Sequence, residues 1–298
     1  MPTALPGPLR PAPMLYAQVL VDGLIVGLMF SLVAMGLSLI YGVMNIANFA
    51  HGEFIMLAMY LCYFLWLFAG FDPLLSMPLA ALALFLFGVF TYRVLIRHVL
   101  TASLVPQVFA TFGLLLFLQA GANFLWKADV QTIPDNWSTG HFQVAGLFFN
   151  RPEVVSAVGA FVTALALFWF IHRTEVGLAL QATADDPQAA RLMGINTDRM
   201  YALAWGVAAS TMGVGGALLS TYYSIYPLVG TKLVLPAFVA VAVGGFGSIS
   251  GAFFGGLIVG LIQVAGGFFT SPSYKLLFVY GLYLLLVFVR PHGLLGKR

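Results

Sequence analysis

Residues 45–53 read NIANFAHGE and gather two amides, an imidazole and a carboxylate between two apolar segments. Asn45, Asn48 and His51 recur at i, i+3 and i+6, so on a helix they share one stripe with Glu53 at its end. Polar side chains at membrane depth are costly and face a bundle interior or a cavity. Gly42 and Gly52 flank the group and let the backbone bend, and a broken helix frees backbone groups for contact with a solute. Residues 41–53 therefore read as an interrupted segment whose amides face a pathway or hold the bend. Two readings stand for Glu53: it binds a solute ammonium group, or it fixes the break by hydrogen bonding near a helix start. His51 reads as a proton carrier or as a donor to a neighbouring carbonyl. Asp22 reads as a structural residue near an interface.

The elements that must position these residues are helices in lipid. Of 298 residues, 61% are hydrophobic and 8% charged, against about 25% charged in an average soluble domain. The mean hydropathy of +0.98 agrees. Candidate spans are 15–40, 52–70, 74–92, 104–126, 153–172, 200–223, 232–246, 252–270 and 276–289. Those at 232–246 and 276–289 are short, so about eight crossings are expected. The fold class is an all-α integral membrane protein, a polytopic helical bundle with broken or re-entrant segments. Residues 1–13 are Pro-rich and read as a disordered N-terminal segment, 14–290 as the transmembrane domain and 291–298 as a C-terminal tail. The opening lacks a small-residue cleavage site, so the first apolar segment reads as retained. The net charge of +3 comes without a basic stripe, which excludes a nucleic-acid partner. Cys62 is the single cysteine, so no intrachain disulfide exists.

Orientation follows from Lys and Arg in the short loops. Alternating crossings put Arg93, Arg97, Arg173, Arg191, Arg199, Arg290, Lys297 and Arg298 on one face, expected to be cytoplasmic. Arg10, Lys127, Arg151, Lys232 and Lys275 fall opposite. The outer loop 127–152 carries Asp129, Pro134, Asp135, Trp137 and Pro152. The inner loop 173–199 is the most polar stretch. In it Asp186 suits a helix N-cap, Pro187 the first helical position and Gly194 the C-terminal cap. A helix of about two turns results, exposing Ala189, Ala190, Leu192 and Met193. It either docks into a partner's groove or packs back on its own bundle.

A second block, GGFGSISGAFFGGLIVG at 244–260, carries Gly244, Gly245 and Gly247 at a turn or half-helix break. Gly251-x-x-x-Gly255 and Gly256-x-x-x-Gly260 fit close helix contact. Tight packing and a pathway lining are both open for the first three. The phosphate-binding pattern G-K-[ST] is missing, since the one Gly-Lys pair, Gly296-Lys297, precedes Arg298. The five His are scattered without ligand spacing, and no nucleophile elbow is present, so neither metal nor cofactor is expected.

Gln188, Ala189, Ala190 and Gly194 resemble the E-A-A-x-x-x-G motif of ABC importer permeases, with Gln in place of Glu and the downstream I-x-L-P missing. LIYGVMNIANFAHGEFIMLAMY (39–60), ATADDPQAARLMGI (182–195), AVGGFGSISGAFFGGLIVG (242–260) and RPHGLLG (290–296) together resemble the LivH-type permeases of branched-chain amino acid ABC transporters. The resemblance implies a half-transporter, not an enzyme, in a bacterial inner membrane. It implies a homologous LivM-type permease subunit, two cytoplasmic ATPase subunits, a periplasmic solute-binding protein and membrane lipid as partners. It implies uptake of leucine, isoleucine, valine or other hydrophobic amino acids, with urea, amides and other small solutes as the alternative. The pathway set is then Asn45, Asn48, His51, Glu53, Gly244, Gly245 and Gly247. The ATPase-coupling set is Asp186, Gln188, Ala189, Ala190, Arg191, Met193 and Gly194. An ion-driven secondary transporter would want paired ionisable groups at mid-membrane. An embedded enzyme would want several reactive groups at one depth. Only His51 and Glu53 come close.

Overall fold

The computed structural model describes residues 12–290 and 293–296. The expected disorder of residues 1–13 falls almost wholly outside them, as do Arg10, Lys297 and Arg298. Among the described residues eight helices are long and apolar enough to cross a membrane. They are α1 (Ala12–Met44), α2 (His51–Ala69), α3 (Pro73–Thr91), α5 (Leu104–Trp126), α6 (Arg151–Arg173), α9 (Thr197–Leu219), α11 (Ile249–Phe269) and α12 (Lys275–Val289), the last together with the turn Pro272–Tyr274 that leads into it. A π-turn at Tyr92–Ile96 and the short α4 (Arg97–Val99) prolong α3. Two short helices, α7 (Glu175–Asp185) and α8 (Pro187–Leu192), fill the inner loop, and α10 (Val229–Gly244) is a ninth, shorter apolar helix.

The starts are written in the sequence. Asp72 caps α3 by accepting from Leu74 N at 2.9 Å, with Pro73 at the first position. Asn196 caps α9 through Arg199 N at 3.1 Å, and Ser248 caps α11 through Gly251 N at 3.1 Å. Because lipid is as apolar as leucine, helix association rests on close backbone approach and interhelical hydrogen bonds. Gly256 and Gly260 of α11 accordingly lie against Ser31 and Gly27 of α1. Ser31 Oγ donates across that seam to the Phe253 carbonyl at 2.6 Å. On the neighbouring side of α11, Gly251 and Gly255 meet Gly244 and Ala240 of α10. Gly88 of α3 and Gly216 of α9 serve α3–α9 and α2–α9 contacts in the same way.

The helices α1 and α9 are central, with 78% of their apolar stretches buried, against 22% for α5 and 6% for the final helix. Leu32, Ile40, Phe54, Met59 and Trp205 fill the core. The indole of Trp205 donates to Thr91 Oγ1 at 3.2 Å.

Two faces separate clearly. On one, the hairpin β1 (His141–Val144) and β2 (Leu147–Asn150) meets the start of α1, where Gln18 Nε2 donates to the Phe148 carbonyl at 2.8 Å. Trp137 N donates to Asp72 Oδ2 at 2.7 Å, and Gln131 and Ile225 exchange backbone bonds of 2.9 and 2.8 Å. Near that end of α1, Gln18 Nε2 also donates to Asp22 Oδ1 at 2.8 Å. On the other face Arg97 Nε lies 3.2 Å from Asp198 Oδ1. There Leu294 N and Leu295 N donate to the Val243 and Gly244 carbonyls at 2.8 and 2.9 Å. The start of α1 therefore lies on the hairpin face and the described part of the tail on the opposite face, which needs an odd number of passes. Counting α10 gives nine.

Candidate functional site

The break after α1 is sharper than the sequence suggested. Asn45, at φ 54°, leaves the helix, and residues 45–50 are not helical. No helical stripe of Asn45, Asn48 and His51 exists. Glycine freedom does not make the bend either: Gly42 and Gly52 are both helical and serve close approach, Gly42 to Gly247 and Gly52 to Gly230. A short turn carries the chain instead. Asn48 Oδ1 accepts from Ala50 N at 3.1 Å, the local competition with helix that Asn is suited to. Thr111 of α5 donates to the Ala47 carbonyl at 3.1 Å and pins the turn.

This turn runs back into the bundle. An ideal Cβ on Gly36 would sit 3.0 Å from His51 Nε2, so α2 begins level with Gly36. That is eight residues, or roughly 12 Å, back from the end of α1. At the same depth α10 begins. Gly52 and Gly230 touch backbone to backbone, and the two helices leave this point toward opposite faces.

Beside the contact, Glu53 Oε1 accepts from Gln119 Nε2 at 3.0 Å and from Thr231 Oγ1 at 3.4 Å. Gln119 Nε2 also lies 2.7 Å from Thr231 Oγ1. One carboxyl group thus joins the first turns of α2 and α10 to the middle of α5. Glu53 does not cap its own helix with a side-chain bond, since the N-cap position, Ala50, receives none. Gln119 and Thr231 escaped the sequence reading. Their signal was present: an amide and a hydroxyl inside lipid-length apolar segments.

Asn48, His51 and Glu53 are fully buried. Asn48 Nδ2, both His51 ring nitrogens and Glu53 Oε2 lack a well-formed hydrogen bond, although the Val33 carbonyl faces the imidazole. Buried polar groups left this way point to a missing partner, water or solute.

The rest of the pathway set lies elsewhere. Gly244 packs on Gly251, and Gly245 (φ 105°) and Gly247 (φ 77°) form the α10–α11 turn on the face opposite the hairpin. Asn45 and Gly247 line a cavity of about 420 Å³ there, with Tyr41, Gln181, Asp185 and Ser250. The sequence-derived set therefore splits into a buried midplane group and an inner-face group.

The inner loop holds two helices, not one. Thr174 caps α7 by accepting from Gly177 N at 3.0 Å. Asp186 caps α8 by accepting from Gln188 N at 2.8 Å and Ala189 N at 3.0 Å. Pro187 is the first residue of α8 and Gly194, at φ 85°, ends the turn after it. Arg191 Nε donates to Thr197 Oγ1 at 2.7 Å and ties α8 to the start of α9. Leu192 is 88% and Met193 82% exposed, whereas Ala190 is only 4% exposed. The expectation that Ala190 faces solvent is therefore wrong: α8 has an inner edge, and Ala190 is on it. Among the described residues no group of His, Cys, Asp or Glu is placed to hold a metal ion.

The family described as branched-chain amino acid transport system / permease component matches residues 19–288. The chain belongs to that family. It is 31% identical over 295 residues to the high-affinity branched-chain amino acid transport system permease protein BraD of Pseudomonas aeruginosa, covering 95% of this chain and 96% of that protein. It is 30% identical over 301 residues to the corresponding LivH protein of Escherichia coli K12, with 95% and 96% covered. A shorter likeness, 32% over 173 residues, covers 53% of this chain and 47% of the fructose import permease protein FrcC of Rhizobium meliloti. No solved structure matches the chain. The permease family match takes in the midplane group, α8 and the glycine block, and stops short of the tail.

Proposed function

We propose that this permease forms half of the translocation path of an ABC importer for branched-chain amino acids. Its partners are a LivM-type permease subunit, two ATPase subunits bound on the α8 face and a solute-binding protein on the hairpin face. It sits in a bacterial inner membrane with the α8 face toward the cytoplasm, as the arginines at 93, 97, 173, 191 and 199 favour. The tail at 293–296 lies on the same side. The chain hydrolyses nothing; ATP is spent by the partners.

The observation that carries this reading is the form of α8. It is a capped helix of six residues whose last residue, Leu192, and the next, Met193, turn apolar side chains to water. An isolated surface helix has no use for them, whereas a partner groove does. Asp186, Gln188, Ala189, Arg191 and Gly194 frame that contact, and Ala190 holds α8 to the bundle. Movement of α8 passes through α7 to the inner ends of α1 and α9. Asn48, His51 and Glu53 hold the helix break at the midplane, and Gly244, Gly245 and Gly247 shape the inner turn.

Replacing Leu192 and Met193 together by Asp tests the docking. Co-purification of the ATPases and solute uptake should both fall at least tenfold, while the thermal unfolding of the isolated chain stays put. Normal uptake by this variant would remove α8 from the coupling role. Competition with unlabelled leucine, urea, acetamide and fructose in the same uptake assay assigns the solute class; leucine is the expected competitor.

A further inference from the structure

We propose that the seam between α2 and α5 is the solute's route from the hairpin face to the midplane group, and that the stacked rings of Tyr60 and Trp126 are its outer gate. That a solute passes here rests on the function proposed above; that the seam opens rests on the seam itself.

Glu53 and Tyr60 stand seven residues apart on α2, and Gln119 and Trp126 stand seven apart on α5, so each pair shares one helix face. The two faces meet in register. Gln119 Nε2 donates to Glu53 Oε1 at 3.0 Å. Two turns nearer the hairpin face, roughly 10 Å along α2, the Tyr60 and Trp126 rings stack with centroids 4.0 Å apart and planes inclined by 26°. Phe64, on the same face of α2, lies 5.7 Å from the Trp126 ring. Little apolar packing secures α5, since 22% of its apolar stretch is buried. Thr111 and Gln119 tie it to the helix break by hydrogen bonds.

The polar atoms without partners fall along the same line. Among the described residues seven buried side-chain polar atoms lack a hydrogen bond. Asn48 Nδ2, both His51 ring nitrogens, Glu53 Oε2 and Tyr60 Oη are five of them. Tyr60 is 1% exposed, so its hydroxyl is shut off from water while the stack holds. A buried tyrosine hydroxyl ordinarily finds a partner, and a tryptophan that merely anchors a helix at the interface strands none. The closed pair sets an aromatic contact against an unmet hydroxyl. Parting the rings forfeits the contact and gives the hydroxyl water or solute, and two opposed terms of this kind make a two-state element.

The chain after Trp126 leaves room for that motion. Lys127 ends α5 at φ 58°, an uncommon conformation for a side-chain-bearing residue. Four residues on, Gln131 is fixed: it exchanges backbone bonds with Ile225 and accepts from Tyr63 Oη at 2.9 Å. Trp126 swings on residues 127–130 while the outer loop keeps its place.

The test reads access to the seam. Ala122 lies one turn before Trp126 and is 3% exposed. Ala122→Cys, in a Cys62→Ala chain held in lipid nanodiscs, is labelled with a charged, membrane-impermeant thiol reagent. Trp126→Ala removes the stack and should speed labelling at least about tenfold. Tyr60→Phe keeps the ring and deletes the unmet hydroxyl, which favours the closed pair. Labelling should then slow at least about fivefold, the unfolding temperature should rise, and uptake by the complete transporter should slow. A packing role alone predicts no change in labelling for Tyr60→Phe. Labelling of that variant at the parent rate or faster overturns the proposal, even if Trp126→Ala fails to fold. Labelling needs no ATP, solute or partner, so the two readings separate. The expected labelling without ATP-driven uptake sinks the importer reading alone, and unchanged labelling with normal uptake sinks the gate alone.

Discussion

The contact between Gly52 and Gly230 is where the account is most exposed to a single methyl group. An ideal Cβ on Gly52 would lie 2.7 Å from the Gly230 carbonyl carbon and 2.9 Å from Val234 Cβ. Ordinary carbon contacts need about 3.5–4.0 Å, so Gly52→Ala must part the starts of α2 and α10 by roughly 1 Å. Overpacking of this kind costs about 1–3 kcal/mol. The Thr231–Glu53 bond is already 3.4 Å long. A further ångström breaks it, and a hydrogen bond contributes about 0.5–1.5 kcal/mol. Alanine returns about 1 kcal/mol in helix propensity. The net loss is about 0.5–3.5 kcal/mol, equivalent to a fall of up to roughly 10 °C in Tm. Gly121→Ala is the control, because nothing lies within 4 Å of its Cβ position. Thermal unfolding in one detergent, with both variants side by side, gives the comparison. Equal Tm values for the two would show that α2 and α10 do not meet at this point.

Other substitutions probe separate joints. Asp72→Ala removes the α3 cap and leaves Trp137 N without its acceptor, at about 1–2 kcal/mol; protease cleavage within 127–150 should speed up about tenfold or more. Thr231→Val keeps the volume but strips one donor from Glu53; Tm should fall by a few degrees, less than for Gly52→Ala, with the ATPases still bound. Arg97→Ala breaks an ion pair whose side chains are 59% and 47% exposed. Such pairs contribute about 0–1 kcal/mol, so its Tm should match that of the parent in 0.15 M salt.

Much of the bundle was legible because lipid imposes a simple code. Each of the nine apolar runs became a helix, and the caps at Asp186 and Gly194 sit where the turn chemistry put them. What stayed hidden was depth. Periodicity places Asn45, Asn48 and His51 on one stripe only if the helix continues, and it stops at Met44. Asn45 adopts a positive φ, and the Asn48 side chain bonds the backbone two residues on, so local polar bonding overrode helical period. The Glu53 cluster needed residues 66 and 178 positions away in sequence, Gln119 and Thr231. No local pattern pairs them. The inner loop reads as one helix because Asp186, Pro187 and Gly194 mark both ends of α8, whereas the Thr174 cap that starts α7 is not matched by a stop signal of its own. Ala190 and Met193 looked alike on α8 until the bundle supplied an inside and an outside. The glycine block gave both its contacts, because two GxxxG pairs offset along one helix address two neighbours, α10 and α1.

Accumulation of labelled leucine in sealed vesicles tests the whole account most directly. The vesicles carry this chain alone, or this chain with its partner permease, ATPases and binding protein, each with and without ATP. Uphill accumulation should occur only in the complete set with ATP. Vesicles with the single chain that fill against a gradient would contradict it.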